Sequence, residues 1–341
     1  MISLIVVNFR AAALAADAIR TARAASSSPI QVIVVDNSCD PREAEALRGL
    51  GDDLLISETN RGYAGGINLG RTAATGDVIV AANPDVAFAE GSIDELVNAL
   101  HDAAVAGPAL FWDEEHRWML PPGDRDSALE KLDAILASRS RAWFSERDRR
   151  RFRKRVAFWS LTQTTEVQML SGAVLAFRAA DFDDVDGFDE RFRLYFEETD
   201  FLRRIAERRE RVVYVPSARC RHLYNQSASQ VGGEAAARFV ESELRYLEKW
   251  NGPLLARTLT RMERELPAHN ATTIDGPIVI DRDDLVVEAS PLPSFTTAAG
   301  CFASRGEIDV PPNAWTSPVL YLRTVVRATG EVLATYAKQR R

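Results

Sequence analysis

Short apolar runs alternate with stretches of helical spacing over the first hundred residues. Ile2–Val7 reads as a buried strand and the Ala-rich Ala11–Ala25 as a helix. Gln31–Asp36 and Leu54–Ser57 read as strands, Tyr63–Ala74 as a helix, and Asp77–Ala81 as a strand closing on Asn83-Pro84-Asp85. Ser92–His101 predicts a further helix and Ala104–Leu110 a further strand. This order predicts an α/β domain with a mostly parallel sheet and helices on both faces. Such sheets bind ligands beyond the carboxyl ends of their strands. Asn8, Asp36, Asn37, Asn83 and Asp85 all fall on that edge.

The pattern breaks from Trp112 to about Thr165. This charged interruption contains Arg139–Arg155, with nine basic residues interleaved with Trp143, Phe144 and Phe152. Two readings stand side by side. One is a helix lying on an anionic membrane surface or gripping a lipid diphosphate. The other is an arginine-rich helix paired with acids such as Glu146 and Asp148. The α/β pattern resumes at Val167–Phe177, enters a helix near Glu197, and passes a strand Val212–Val215 before His222. Phe239–Trp250 reads as a helix stopped by Gly-Pro. From about Ala271 short strands dominate, and Tyr321–Arg327 with Val332–Ala337 flank a Thr-Gly turn as a hairpin. The expected organisation is a domain over 1–250 with a helical basic insertion at about 112–165, a linker at 251–270, and a β-rich unit over 271–341.

Composition narrows the classes. A formal net charge of −7 over 341 residues argues against a general nucleic-acid binder. The three cysteines (Cys39, Cys220, Cys301) are far apart, odd in number and without a CxxC, so reduced thiols in a cytosolic protein are expected. Met1–Arg10 lacks a basic stretch ahead of its apolar residues and reads as a first strand, not a signal peptide. No apolar run reaches the roughly 18 residues of a membrane span, so any membrane contact is expected to be peripheral.

Several polar residues carry candidate chemistry. Asp85, just past a buried strand, can hold Mg²⁺ or Mn²⁺ while phosphates complete the shell, although Asn-Pro-Asp is also good turn chemistry. Asp36 can hydrogen-bond a base or ribose, or close its own strand-end turn. Asn60–Gly70 is a glycine-bearing loop opening a helix, a place suited to anions. It lacks the GK[ST] of a P-loop, and the first strand lacks GxGxxG. Glu197, Glu198 and Asp200 sit in a first helical turn, where acids also serve the helix dipole, with Tyr195 and Phe196 placed to wall a sugar site. His222 is a structural histidine or a ligand.

Taken in order, VVNF, VVDNS, NRGYAGGINLG, NPDV, SGAVLAFR, GFDERF, FEETD and the downstream His222 resemble the family 2 inverting glycosyltransferases of the GT-A fold. The resemblance is to rhamnosyltransferase-like and galactofuranosyltransferase-like members that build bacterial surface polysaccharides. It covers roughly residues 1–250 and leaves out the insertion and the C-terminal unit. It implies a nucleoside-diphosphate sugar donor, a saccharide or lipid-linked acceptor, and a divalent cation. On this resemblance Asn8, Asp36, Asn60, Gly62, Asn68 and Asn83 would hold the nucleotide, and Asp85 and His222 the metal. Gly172, Asp189, Glu197 and Asp200 would lie toward the acceptor.

Glu198 takes the place of the family's catalytic aspartate as general base, and Glu197 or Asp200 stands near enough to share the role. Asn83 at the first position of the DxD-type motif leaves the cation site with less negative charge. The implied location is the cytoplasm, peripheral to the inner face of the membrane, with a homo-oligomer open. Two rivals remain. A non-catalytic carbohydrate-binding protein on a degenerate domain fits the glutamate and the incomplete DxD. A nucleotidyltransferase needs a Gly-rich basic loop after the first strand, where only Arg10 is found.

Overall fold

The computed structural model describes residues 1–124, 126–223, 233–310, 315 and 317–340, with the backbone alone at 233–236. Its centre is β1 (Ile2–Asn8), buried at every position. A strand apolar on both faces is stable only inside a parallel sheet covered on both sides. β2 (Ile30–Asp36) and β4 (Val78–Ala82) flank it in parallel, and β3 (Asp53–Ile56) adds outside β2. Beyond β4 come β8 (Val174–Arg178), antiparallel, then β6 (Val105–Phe111) and β9 (Val212–His222), with β5 (Val86–Phe88) at the edge and β7 (Thr165–Glu166) against β9. One apolar layer packs α1 (Ala12–Ala24), α2 (Pro41–Leu47) and α4 (Ser92–Ala99) on the sheet. The opposite layer packs α3 (Gly62–Ala73), α7 (Ala179–Asp183) and α8 (Glu197–Glu207).

β9 differs from its expected extent. It continues past Val215 through Pro216 to His222. Its pairing on β6 jumps from Pro108↔Val215 to Ala109↔Arg219, so residues 216–218 bulge out of the ladder. A proline without an N–H is tolerated at such a bulge. The extension sets His222 opposite Val86, one residue from Asp85.

The insertion folds as α5 (Ala128–Arg139) and α6 (Arg141–Trp159), with serine N-caps at Ser127 and Ser140. The segment expected as a linker instead holds α10 (Pro253–Met262), directly after α9 (Gly233–Asn251). Gly252 breaks the first helix, but Pro253 occupies the first turn of the next, where its missing N–H costs nothing. The Gly-Pro pair stops the first helix, as expected, and opens the second.

The C-terminal unit carries a five-stranded sheet in the order β10 (Thr272–Ile274), β16 (Val332–Gln339), β15 (Val319–Val326), β12 (Leu285–Ser290), β13 (Ala299–Phe302). A two-stranded ribbon of β11 (Ile278–Ile280) and β14 (Gly306–Ile308) accompanies it. β15 and β16 form the expected hairpin. The unit is fused to the insertion. Met119 and Gly300 exchange both backbone hydrogen bonds at 2.8 Å, and Trp112, Trp118 and Leu120 share a core with Val287, Leu320 and Leu322.

α6 lies on this sheet with Arg147, Asp148 and Arg155 turned inward. Arg155 Nε is 2.6 Å from Glu288 Oε1, Arg323 Nη2 is 2.7 Å from Glu288 Oε2, and Arg323 Nη1 is 2.7 Å from Asp148 Oδ2. Burial alone would raise the Asp148 pKa, but hydrogen bonds from His269 and Arg323 hold it well below the usual carboxylate range. Arg147 and Arg150 pair with Asp133, Arg151 and Lys154 with Asp124, and Arg149 with Glu146. The paired-helix reading of Arg139–Arg155 therefore describes most of its cations, and the partners are mainly outside the helix. Arg147 and Arg155 are buried in these pairs, whereas Arg149, Arg150 and Lys154 pair at the surface.

Candidate active site

The carboxyl edge of the sheet opens into a cavity of about 720 Å³. Its floor includes Asn37, Asn83 and Asp85 from the ends of β2 and β4, and its sides include Tyr63 and the first turn of α8. Asp85 Oδ1 lies 3.3 Å from His222 Nε2, and both side chains are buried. Their adjacency follows from the β5–β9 pairing and from Leu223 N donating to the Asp85 carbonyl.

Glu197 and Glu198 reach the cavity from an unusual backbone. Tyr195 and Phe196, just before the helix, have φ of 67° and 69°. Two successive non-glycine residues in the left-handed region are strained, and such strain concentrates at functional sites. Phe196 is anchored by packing with Phe192 and Tyr246, which holds this turn in place. Burial raises the Glu197 pKa well above the usual glutamate value, with the neighbouring Glu198 charge adding to it. Burial also raises Glu198, against the N–H groups of Glu198 and Thr199, which favour its ionised form. One carboxylate oxygen on each, Oε2, has no hydrogen-bond partner among the described residues. A half-buried, basic carboxylate facing a cavity is suited to take a proton from a hydroxyl.

Tyr63 links the two ends. Its hydroxyl donates to the Gly172 carbonyl at 3.1 Å. Burial, then the charges of Glu197, Glu198 and Asp85, push its pKa far above the ordinary tyrosine value, so it remains a neutral donor. Gly172 packs on Glu198, and a Cβ there would stand 3.1 Å from Glu198 Cγ. Gly62 is required for a different reason. Its φ is +73° and a Cβ would meet the Arg193 carbonyl oxygen at 2.1 Å. Asn60 Oδ1 accepts from Gly62 N, and Asn37 Nδ2 donates to the Gly62 carbonyl at 2.7 Å. Gly62→Ala is expected to destabilise the protein by about 1–3 kcal/mol, the usual cost of such strain, read as a lower thermal midpoint. An unchanged midpoint would show that the loop rearranges freely.

Of the residues singled out in the sequence, the cavity gathers Asn60, Gly62, Asn83, Asp85, Gly172, Glu197, Glu198 and His222. It does not gather Asn8, Asp36, Asn68, Asp189 or Asp200, which bind other parts of the protein. Asn8 donates to Glu43 and accepts from Ala11 N, and Asp36 accepts from Ser38 N. Asn68 clamps Phe188 through both its N–H and its carbonyl. Asp189 pairs with Arg191 and Lys249. Asp200, fully buried, is held by Arg204, Lys249 and Trp250.

Other lining residues carry no motif. Asp126, Lys131 and Arg151 come from the insertion, and Thr296 and Thr297 from the loop before β13. Burial first, then the charges of Asp124, Glu243 and Glu198, push Asp126 up to about 7. Arg151 donates to the Thr296 carbonyl at 2.8 Å, which fixes the C-terminal loop to the cavity wall. Tyr63 and Asn37 stood within the quoted motifs. The insertion residues had no sequence signal, because only the packing of α5 and α6 brings them to the site.

Residues 3–163 match the family model of glycosyl transferase family 2. Over that segment the chain is similar to the family 2 glycosyl transferases. The large, mostly parallel sheet with a separate β-rich C-terminal sheet is the α/β organisation expected from the sequence. Curated relatives of this chain include the N-acetylglucosaminyl-diphospho-decaprenol L-rhamnosyltransferase of Mycobacterium tuberculosis, in strains CDC 1551 / Oshkosh and ATCC 25618 / H37Rv. Each is 27% identical, across 67% of this chain and 80% of the relative. Among solved structures, the mannosyltransferase PcManGT from Pyrobaculum calidifontis, in complex with GDP-Man and Mn²⁺, aligns with TM-score 0.46 and 14% identity, covering 76% of this chain and 73% of that one. S. aureus TarS in complex with UDP aligns with TM-score 0.44 and 15% identity, covering 73% and 70%.

Proposed function

We infer that this transferase moves a sugar, hexosyl or deoxyhexosyl, from a nucleoside diphosphate to a hydroxyl of a lipid-linked saccharide, with inversion at the anomeric carbon. The observation that carries this reading is one cavity holding a strand-end Asp85–His222 pair and the raised carboxylate of Glu198. In-line displacement needs a base for the acceptor and a stabilised leaving group, supplied from separate groups. The curated relatives, named for rhamnosyl transfer to a diphospho-decaprenol acceptor, support the substrate class. Asn37 Oδ1, buried and without a partner among the described residues, offers an acceptor atom to the nucleotide on the floor of the cavity.

The donor set of one carboxylate and one imidazole suits Mg²⁺ or Mn²⁺. No group of three or more His, Cys, Asp or Glu able to hold a metal occurs among the described residues, so Asp85 and His222 would share the ion with the diphosphate. The cation would neutralise the departing diphosphate. The protein's own residues do the rest. Glu198 takes the hydroxyl proton, Tyr63 keeps the Gly172 turn against it, and the insertion with the Leu292–Thr297 loop shields the reacting centre.

Incubation with a panel of nucleoside-diphosphate sugars and Mn²⁺, reading nucleoside diphosphate release, tests the assignment. Asp85→Ala is expected to raise the Mn²⁺ concentration for half-maximal activity by about 10–100-fold. Absence of turnover with every donor would favour a carbohydrate-binding protein instead.

A further inference from the structure

The insertion and the α9–α10 corner leave an apolar face open to solvent. On α5, Leu129, Leu132 and Leu136 project outward at 78%, 39% and 37% exposure, with Arg139 next on the same stripe. Spacings of three, four and three residues place these four on one side of a helix. On α10, Leu254, Leu255 and Met262 are exposed at 84%, 45% and 37%. The two helices pack together, and Arg139 donates to the Met262 carbonyl at 2.9 Å. Trp143 at the start of α6 adds an exposed indole, its Nε1 bonded to Asp133 of α5. Exposed Arg141, Arg257 and Arg261 border this patch. Clustered leucines on neighbouring helices are not the scattered singles of an ordinary surface.

The patch lies on the outer side of one wall of the cavity. Ser127, Glu130, Lys131 and Ala134 of α5 line that cavity while its leucines face away, and Glu263 and Arg264 continue the wall after α10. We propose that the α5–α10 face docks on an anionic lipid bilayer, the leucines and Trp143 entering the headgroup boundary and the arginines meeting lipid phosphates. Apolar residues flanked by arginines suit an interfacial helix pair, and no described helix is long and apolar enough to cross a membrane. The occupant follows from that charge: Arg139, Arg141 and Arg261 complement lipid phosphates, whereas two copies of this same face would set those arginines against one another. This face includes the start of α6, with Arg141 and Trp143, but not its buried Arg147 and Arg155. The inference rests on the lipid-linked acceptor proposed above, because α5 would then stand between the bilayer and the cavity that its other side lines.

The test is flotation of the full chain with phosphatidylcholine vesicles, with and without phosphatidylglycerol, and needs no catalysis. Binding to anionic vesicles is expected to fall about tenfold or more in Leu129→Ser/Leu132→Ser/Leu136→Ser, and also in Arg141→Glu/Arg261→Glu. Turnover of a water-soluble acceptor should stay within about twofold in the leucine variant, since these side chains lie outside the cavity. No vesicle binding by the unmodified protein, or equal binding by the leucine variant, overturns the proposal. So does a concentration-dependent dimer that the leucine variant dissolves, which would assign the face to a second copy. Vesicle binding with no turnover of any acceptor leaves the docking face standing and defeats the transferase reading.

Discussion

Glu198→Gln is expected to lower the transfer rate by about 10²–10⁴-fold, the usual contribution of a positioned general base. Nucleotide affinity should be unchanged, because Gln preserves the packing against Gly172 and removes only the basic oxygen. The pH profile should carry the same signature. Burial raises the Glu198 pKa above the ordinary 4.5, and only the ionised form accepts a proton. As pH falls, kcat/KM should therefore drop through a limb lying above 4.5, and the Gln variant should lack it. Glu198→Asp restores the residue that the resemblance expects, and it should retain part of the activity with a shorter reach. A Gln variant within tenfold of the parent would move the base to Glu197, which lines the same cavity.

Glu288→Ala is expected to cost about 3–5 kcal/mol of stability, the range for removing one partner of a buried ion pair. Glu288 is fully buried and faces two arginines, Arg155 and Arg323, one on each of its carboxylate oxygens. Without it Arg155 keeps only the Phe295 carbonyl at 3.5 Å. The loss should reach the active site. Phe295 precedes Thr296 and Thr297 in the cavity wall, and α6 carries the Arg151 that holds this loop. A chemical-denaturation midpoint for Glu288→Ala, set beside exposed Glu146→Ala at about 0–1 kcal/mol, measures the contrast. Equal shifts in the two would show that the network contributes no more than a surface pair.

The sheet was largely legible because its strands are continuous apolar runs and its helices have regular spacing. Strand β1 and helix α1 fall within a residue or two of their expected limits. The structure brings Asp85, which follows a strand, and Glu198, which opens a helix, into one cavity. Asn8 and Asp36 occupy the expected edge, yet their side chains close the turns beside them. Asp200 shares the acidic turn with Glu198 but points away from the cavity, because residues two apart on a helix do not share a face.

The insertion shows the opposite limit. Its charge run declares a helix but not the side it turns to solvent, since Arg147 and Arg155 are buried and Leu129 is exposed. Hydropathy ranks residues by transfer from water, and that ranking is overridden when a buried charge finds a fixed counter-charge. Glu288 and Arg323 lie more than 130 residues beyond Arg155 and Asp148 and appear as ordinary surface charges in the sequence. The sequence by itself determined the α/β order, the family resemblance and a metal-and-base pair of candidates. Only the tertiary structure decided that α5, α6 and the C-terminal sheet build one wall of the cavity, because that wall depends on long-range ion pairs and backbone pairing that no local pattern encodes.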